Sequence, residues 1–176
     1  MAIQCSHDRD TGTIEVVLSF KRDELLYDIR NAAYVEGSVL ESDNNHARHT
    51  IQDVGEEGNV DRITRVMSLA VAKCKETLYA YTKKDVYLSE LDDTLQEPGV
   101  YGIVMKVPEG FSQTTLFLLE QLIHEYIVCS ALADWLSITY PAKAEAWAIK
   151  ANDAETEIRC NLLTRRGYTR RLLRPF

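Results

Sequence analysis

Hydrophobic positions along this chain recur with two periods. In "TGTIEVVLSF", Ile14, Val16, Leu18 and Phe20 alternate with more polar neighbours, the pattern of a half-buried strand. The preceding "DRDTG" reads as a turn pairing that strand with a short one near Ile3 to Cys5. From Lys21 to about Leu40 the spacing lengthens. Leu25, Leu26, Ile29, Ala32 and Ala33 predict a helix, weakened at its far end by Gly37. "ESDNNHARHTIQDVGEEGN" is polar and glycine-punctuated, so a mobile loop is expected over 41–58.

Asn59 is placed to cap the next helix, with Asp61 in its first turn, where the helix dipole favours an acid. Val60, Ile63, Met67, Ala70, Cys74, Leu78 and Tyr81 then follow in steps of three and four, a core-facing stripe. The period shortens again in "DVYLSEL" and "GVYGIVMKV". Joined through "DDTLQEPG", they predict a β-hairpin inserted between helices over about 84–107, with "PEG" as its stop. Ser112 can cap a long helix through "QTTLFLLEQLIHEYIVCSALADWLSIT". Leu116, Leu119, Ile123, Tyr126, Ile127, Ser130 and Ala133 mark one face, while Leu118, Leu122, Val128 and Leu132 make the rest apolar too. Such a helix lies at the centre of a bundle or is shared with another subunit. Pro141 suits the first turn of the last helix, where Trp147, Ala151, Ala154, Ile158 and Leu162 form the inner stripe. Only "SITYP" separates the two, so they form a tight antiparallel hairpin.

The expected fold is therefore mainly α: a small helical bundle with an inserted β-hairpin, a short N-terminal strand element and an extended C-terminal arm. Residues 1–166 form one domain and 167–176 the arm, a division that 176 residues readily allow. No uninterrupted apolar run reaches the ~18 residues of a membrane span, and "MAIQCSHDRD" lacks the pattern of a secretory signal. The expectation is synthesis in a cytoplasm-like compartment without membrane attachment.

Charge sharpens the picture. The chain carries −7 overall, yet residues 159–176 hold six arginines and no acid, leaving 14 basic against 27 acidic residues in the first 158. Cys5, Cys74, Cys129 and Cys160 are far apart and form no CxxC pair, which argues against metal or disulfide use. His46 and His49 in the expected loop have no companion ligand at metal spacing. "DRDTG" lacks the glycine position and terminal acid of a calcium loop. "His124-Glu125" opens like a zinc-protease motif, but Val128 stands where its second histidine belongs. Nor is there a phosphate-cradling glycine loop or a GxSxG. No catalytic residue, metal or cofactor is expected. A pocket gathering His124 with two carboxylates of shifted pKa would reopen the enzyme reading.

Three fates compete for "LLTRRGYTRRLLRPF": a solvated terminus, an arm pairing arginines with nucleic-acid phosphates, or an arm docked into protein. Leu172, Leu173, Pro175 and Phe176 interleave apolar anchors with the arginines, as interface hot spots do. The guanidinium fork also pairs well with carboxylates, which the body holds in excess. The docking residues expected are Arg165, Arg166, Arg170, Arg171, Leu172, Leu173, Arg174 and Phe176.

The helical hairpin from "TTLFLLEQLIHEYIVCSALADWLSIT" through "NLLTRR", closed by "RRLLRPF", resembles the head–tail connector (adaptor) proteins of tailed bacteriophages, over roughly residues 59–176. The resemblance implies a homo-oligomeric ring, a dodecamer, at the head–tail interface of a virion assembled in a bacterial host. It further implies contact with the portal and with adjacent tail or connector proteins, DNA passing through the lumen without specific binding, and no enzymatic activity. An acidic lumen would repel phosphate and let DNA slide; Glu56, Glu57, Asp92 and Asp93 are the candidate lumen-facing acids. The alternative is a DNA-packaging accessory or regulatory module whose basic tail binds nucleic acid.

Overall fold

The computed structural model describes residues 2–8, 13–40, 45–82, 99–108 and 110–164. The fold is mainly α, with one three-stranded antiparallel sheet. Strand β1 (Ala2–Asp8) pairs with β2 (Thr13–Lys21), and β2 with β3 (Val100–Pro108). Alternation fixes the faces, because a strand's side chains point to opposite sides in turn. Val16, Leu18 and Phe20 of β2 stand opposite Met105, Ile103 and Tyr101 of β3, and all six are buried.

The strand expected over "GVYGIVMKV" thus forms, but its described partner is the N-terminal strand β2 across its whole length. The expected first strand of the inserted hairpin, "DVYLSEL", lies outside the described residues. β3 is consequently part of the core wall. Its Tyr101 hydroxyl donates to the Thr64 carbonyl at 3.4 Å and lies 3.4 Å from Ser68 Oγ, tying the sheet to a helix.

Helix α1 (Arg22–Val39) follows β2 directly and buries Leu25, Leu26, Ile29, Ala33 and Gly37. The expected loop over 41–58 is largely helical where it is described: α2 spans Asn45–Gln52, followed by a single 3-10 turn at Asp53–Gly55. Local pattern could not announce this helix, since it buries only Ile51. Tertiary bonds hold it instead. Trp135 Nε1 donates to the Ile51 carbonyl at 2.9 Å, and Arg48 Nη2 donates to the Leu40 carbonyl at 2.8 Å. Gly37 permits the close approach, for a Cβ there would lie 2.8 Å from Gln52 Cγ and 3.1 Å from the Arg48 carbonyl oxygen.

Helix α3 (Glu57–Thr77) begins earlier than expected, with Glu56 at its N-cap. Asn59 is therefore inside the first turn, where its side-chain amide donates to the Asp53 carbonyl at 2.8 Å. The stripe Ile63, Met67, Ala70, Cys74 and Leu78 is buried as its spacing predicts. The helix breaks at Leu78 before the short α4 (Tyr79–Thr82).

Helix α5 (Gln113–Thr139) starts at Ser112, whose backbone carbonyl, rather than its hydroxyl, accepts from Thr115 and Leu116. It is the central element and touches α1, α2, α3 and α6. By length and composition α5 could cross a bilayer, but 61% of its most apolar window is buried inside the protein, the position of a core helix. Arg62 clamps α3 to it through Asp134, with Nε 3.0 Å and Nη2 2.9 Å from one carboxylate oxygen. Helix α6 (Pro141–Thr164) begins at the predicted proline after one residue, Tyr140, and buries Ala151, Ala154, Ile158 and Leu162.

Candidate functional site

The expected docking residues Arg165, Arg166, Arg170, Arg171, Leu172, Leu173, Arg174 and Phe176 lie outside the described residues, as do Asp92 and Asp93. Glu56 and Glu57 are exposed at the N-terminus of α3, where unpaired backbone N–H groups favour negative charge. Of the six arginines after residue 158, Arg159 is described, and Glu155 one turn earlier holds it.

The body itself presents apolar surface. Tyr27, Tyr34, Val35 and Val39 are all at least half exposed on α1, Tyr27 at 69%. At 100° per residue they share one side, opposite Leu26, Ile29 and Ala33. Glu24, Asn31 and Ser38 lie among them, so this side is a mixed surface bearing four large apolar side chains that nothing covers among the described residues.

Beside this stripe lies a hollow of about 370 Å³ lined by Asp23, Glu24, Tyr27, Asp28 and His124. It gathers His124 with carboxylates, one of which, Glu24, is held below its ordinary range by hydrogen bonding, short of the shifted pair that would reopen an enzyme reading. His124 Nε2 sits 2.7 Å from Asp28 Oδ2; the carboxylate accepts, so Nε2 carries the hydrogen. The ring is 8% exposed as a residue, and its Nδ1 is sealed from solvent with no hydrogen-bond partner among the described residues. A general base must reach its substrate's proton. Here one nitrogen is engaged by Asp28 and the other faces the interior, so the pair ties α1 to α5 instead.

A second opening, of about 440 Å³, runs between β1 and the N-terminal half of α5. Ile3 and Cys5 stand opposite Leu18 and Val16, on the core side of the sheet, yet Cys5 is exposed where Val16 is fully buried. The helical layer stops short of β1, and a groove remains. Leu116 and Phe117 give it an apolar wall, with Phe117 at 52% exposure. Glu120 also lines it. That residue is 6% exposed, and no hydrogen bond or ion pair reaches its carboxylate among the described residues. Its carboxylate opens onto the groove, where a cation could meet it.

On the other side of the molecule, Glu36 joins α1 to α6. Trp147 Nε1 donates to Oε1 at 3.1 Å, and Lys143 Nζ lies 3.6 Å from Oε2. Lys150 sits 4.0 Å over the Trp147 ring, a cation–π contact. Tyr140 and Lys143 line a shallow opening of about 310 Å³ there.

Cys74 and Cys129 are buried, Cys5 and Cys160 exposed. Burial first, then the charge of Glu155, pushes the Cys74 thiol up to about 12; burial and Glu125 do the same for Cys129. Thiolate is the reactive form. A thiol reagent at pH 8 is therefore expected to label two cysteines of the folded chain rapidly and the other two only in denaturant. Because folding keeps both buried thiols protonated, their contribution to stability is complete at neutral pH. It is lost as pH rises above the ordinary thiol range towards 12.

Among the described residues, no three His, Cys, Asp or Glu side chains gather as a metal-binding group. Comparisons with protein-family models, curated proteins and solved structures give no match to this chain.

Proposed function

We propose that this chain is a structural subunit of a ring, the head–tail connector of a tailed bacteriophage, rather than an enzyme. The observation that carries the reading is the set of large apolar side chains on one side of α1, Tyr27, Tyr34, Val35 and Val39, exposed among polar neighbours on a body that already has a contiguous core. Exposed apolar patches of this kind mark surfaces that meet other proteins. The same chain ends in a segment that alternates arginine with leucine and phenylalanine, and its helical hairpin resembles that of connectors. On this reading identical copies, a dodecamer, close a ring in the virion between the portal and the adjacent tail or connector proteins. DNA passes through the lumen without specific binding, kept from sticking by acids such as Glu56 and Glu57.

The six arginines of residues 159–176 support a second reading, an accessory or regulatory module that binds nucleic acid. Salt separates the two. Phosphate binding weakens with a log–log slope of about −0.9 per phosphate neutralised, whereas an interface with apolar anchors keeps most of its affinity. Light scattering on the full chain between roughly 0.05 and 0.2 M salt is expected to report a stable oligomer of defined mass. A monomer at all concentrations, together with DNA retention that salt abolishes, would favour the second reading.

A further inference from the structure

We infer that the groove between β1 and α5 is the socket for the C-terminal arm of a neighbouring copy, with Glu120 receiving an arginine and Leu116, Phe117 and Ile3 receiving the arm's apolar side chains. The inference rests on the assembly reading above and names the contact that would join the copies.

Four observations converge on this occupant. Glu120 is nine-tenths buried as a residue, lines the groove and has no partner among the described residues, so an incoming cation finds an unengaged carboxylate there. Beside Gln113 and Gln121 its wall carries Ile3, Leu116 and Phe117, so a bare cation would leave the half-exposed Phe117 uncovered. β1 is the outer strand of the sheet, pairing only with β2 among the described residues, so its far edge can accept an added strand. The chain supplies a segment of matching chemistry. In an extended strand Arg170, Leu172, Arg174 and Phe176 share one face, alternating cation with apolar group. Arginine suits the site better than lysine would, because its planar fork meets a carboxylate bidentately and is more weakly hydrated.

The placement of α6 favours a neighbour over the chain's own arm. Joined through Tyr140, α5 and α6 run antiparallel, and Thr164 is as far beyond Tyr140 as Leu116 is before it. The end of α6 is therefore level with the groove. It is on the wrong side, however. Tyr126 and Cys129 of α5 feel charges on α6, those of Glu155 and Lys150 respectively. Phe117 and Glu120 lie about half a turn away around α5. A chain's own arm would spend roughly 16 Å going around a helix about 10 Å across. A neighbour's arm makes no such detour.

Cys5 lines the groove and is exposed, which provides a reporter. In the full chain carrying Leu172→Cys and Cys160→Ser, mild oxidation with diamide is expected to join Cys5 of one copy to the introduced thiol of the next, because position 172 shares the arm's groove-facing side. The product is a ladder of covalent oligomers on a non-reducing gel. Cys5→Ser should abolish the ladder, and Glu120→Gln should cut its yield about tenfold, the loss of one charged hydrogen bond. Phe117→Ala, at a half-exposed position, should lower it too. A disulfide confined within single chains overturns the inference, as does a ladder indifferent to Glu120→Gln. If light scattering shows assembly but no link to Cys5 forms, the groove is not the socket and the assembly reading stands. A monomer with no link overturns both.

Discussion

Deleting residues 168–176 is expected to convert the assembled protein into a monomer while leaving its fold intact. The helical core closes at Leu162, the last buried side chain of α6 among the described residues, so the deletion removes no group from the core described here. The melting temperature should match that of the full chain diluted to its unassembled form to within about 3 °C, the shift that roughly 1 kcal/mol produces in a chain of this size. Mass by light scattering should fall to that of one subunit. The deletion also takes three arginines and shifts the net charge from −7 to −10, so repulsion between copies could itself weaken association. A charge-preserving variant answers this. Leu172→Ser, Leu173→Ser and Phe176→Ser together keep every arginine and remove the anchors. If apolar docking dominates, this triple variant is also monomeric. If it assembles normally, charge pairing alone holds the copies together. A truncated chain that unfolds would place the arm within the core and end the docking reading.

What the sequence made legible followed from periodicity. α3, α5 and α6 announce themselves because each buries a stripe of regularly spaced apolar residues, and such a stripe needs no knowledge of its partner. β3 was legible as a strand for the same reason, through Tyr101, Ile103, Met105 and Val107. Its neighbour was not. Pairing with β2 joins segments about eighty residues apart, and nothing local in "GVYGIVMKV" encodes that choice. α2 has no such stripe, because it buries one residue; the distant donor Trp135 and the helix's own Arg48, reaching back to the Leu40 carbonyl, stabilise it. The candidate sites were not legible locally. Glu120 is one of three acids on α5, beside Glu125 and Asp134, and nothing in its place singles it out. Its groove has no linear signal either, since Ile3 and Cys5 reach it only through the register of β1 on β2. The pairing of His124 with Asp28 spans ninety-six positions and has no linear signature.

The pairing of β3 with β2 has a large energetic consequence at Phe20. That side chain is fully buried, stands opposite Tyr101, and is followed after one residue by α1. Phe20→Ala is expected to cost about 3–5 kcal/mol, the transfer free energy of the ring plus the cavity left behind. Native domains have only about 5–15 kcal/mol in total, so a large part of the stability would go. The urea midpoint should fall with little change in slope, because the surface exposed on unfolding is nearly the same. Val104→Thr is the matching control: the side chain lies on the outer face of the same sheet, 47% exposed, and should change stability by less than about 0.5 kcal/mol. The decisive feature is where the loss is seen. The sheet's inner face and the helices share one contiguous core, so helical circular dichroism and tyrosine or tryptophan fluorescence should both shift to the lower midpoint in a single transition. Were β3 instead part of a hairpin projecting from the helices, Phe20→Ala would loosen the sheet and leave the helical transition where it was.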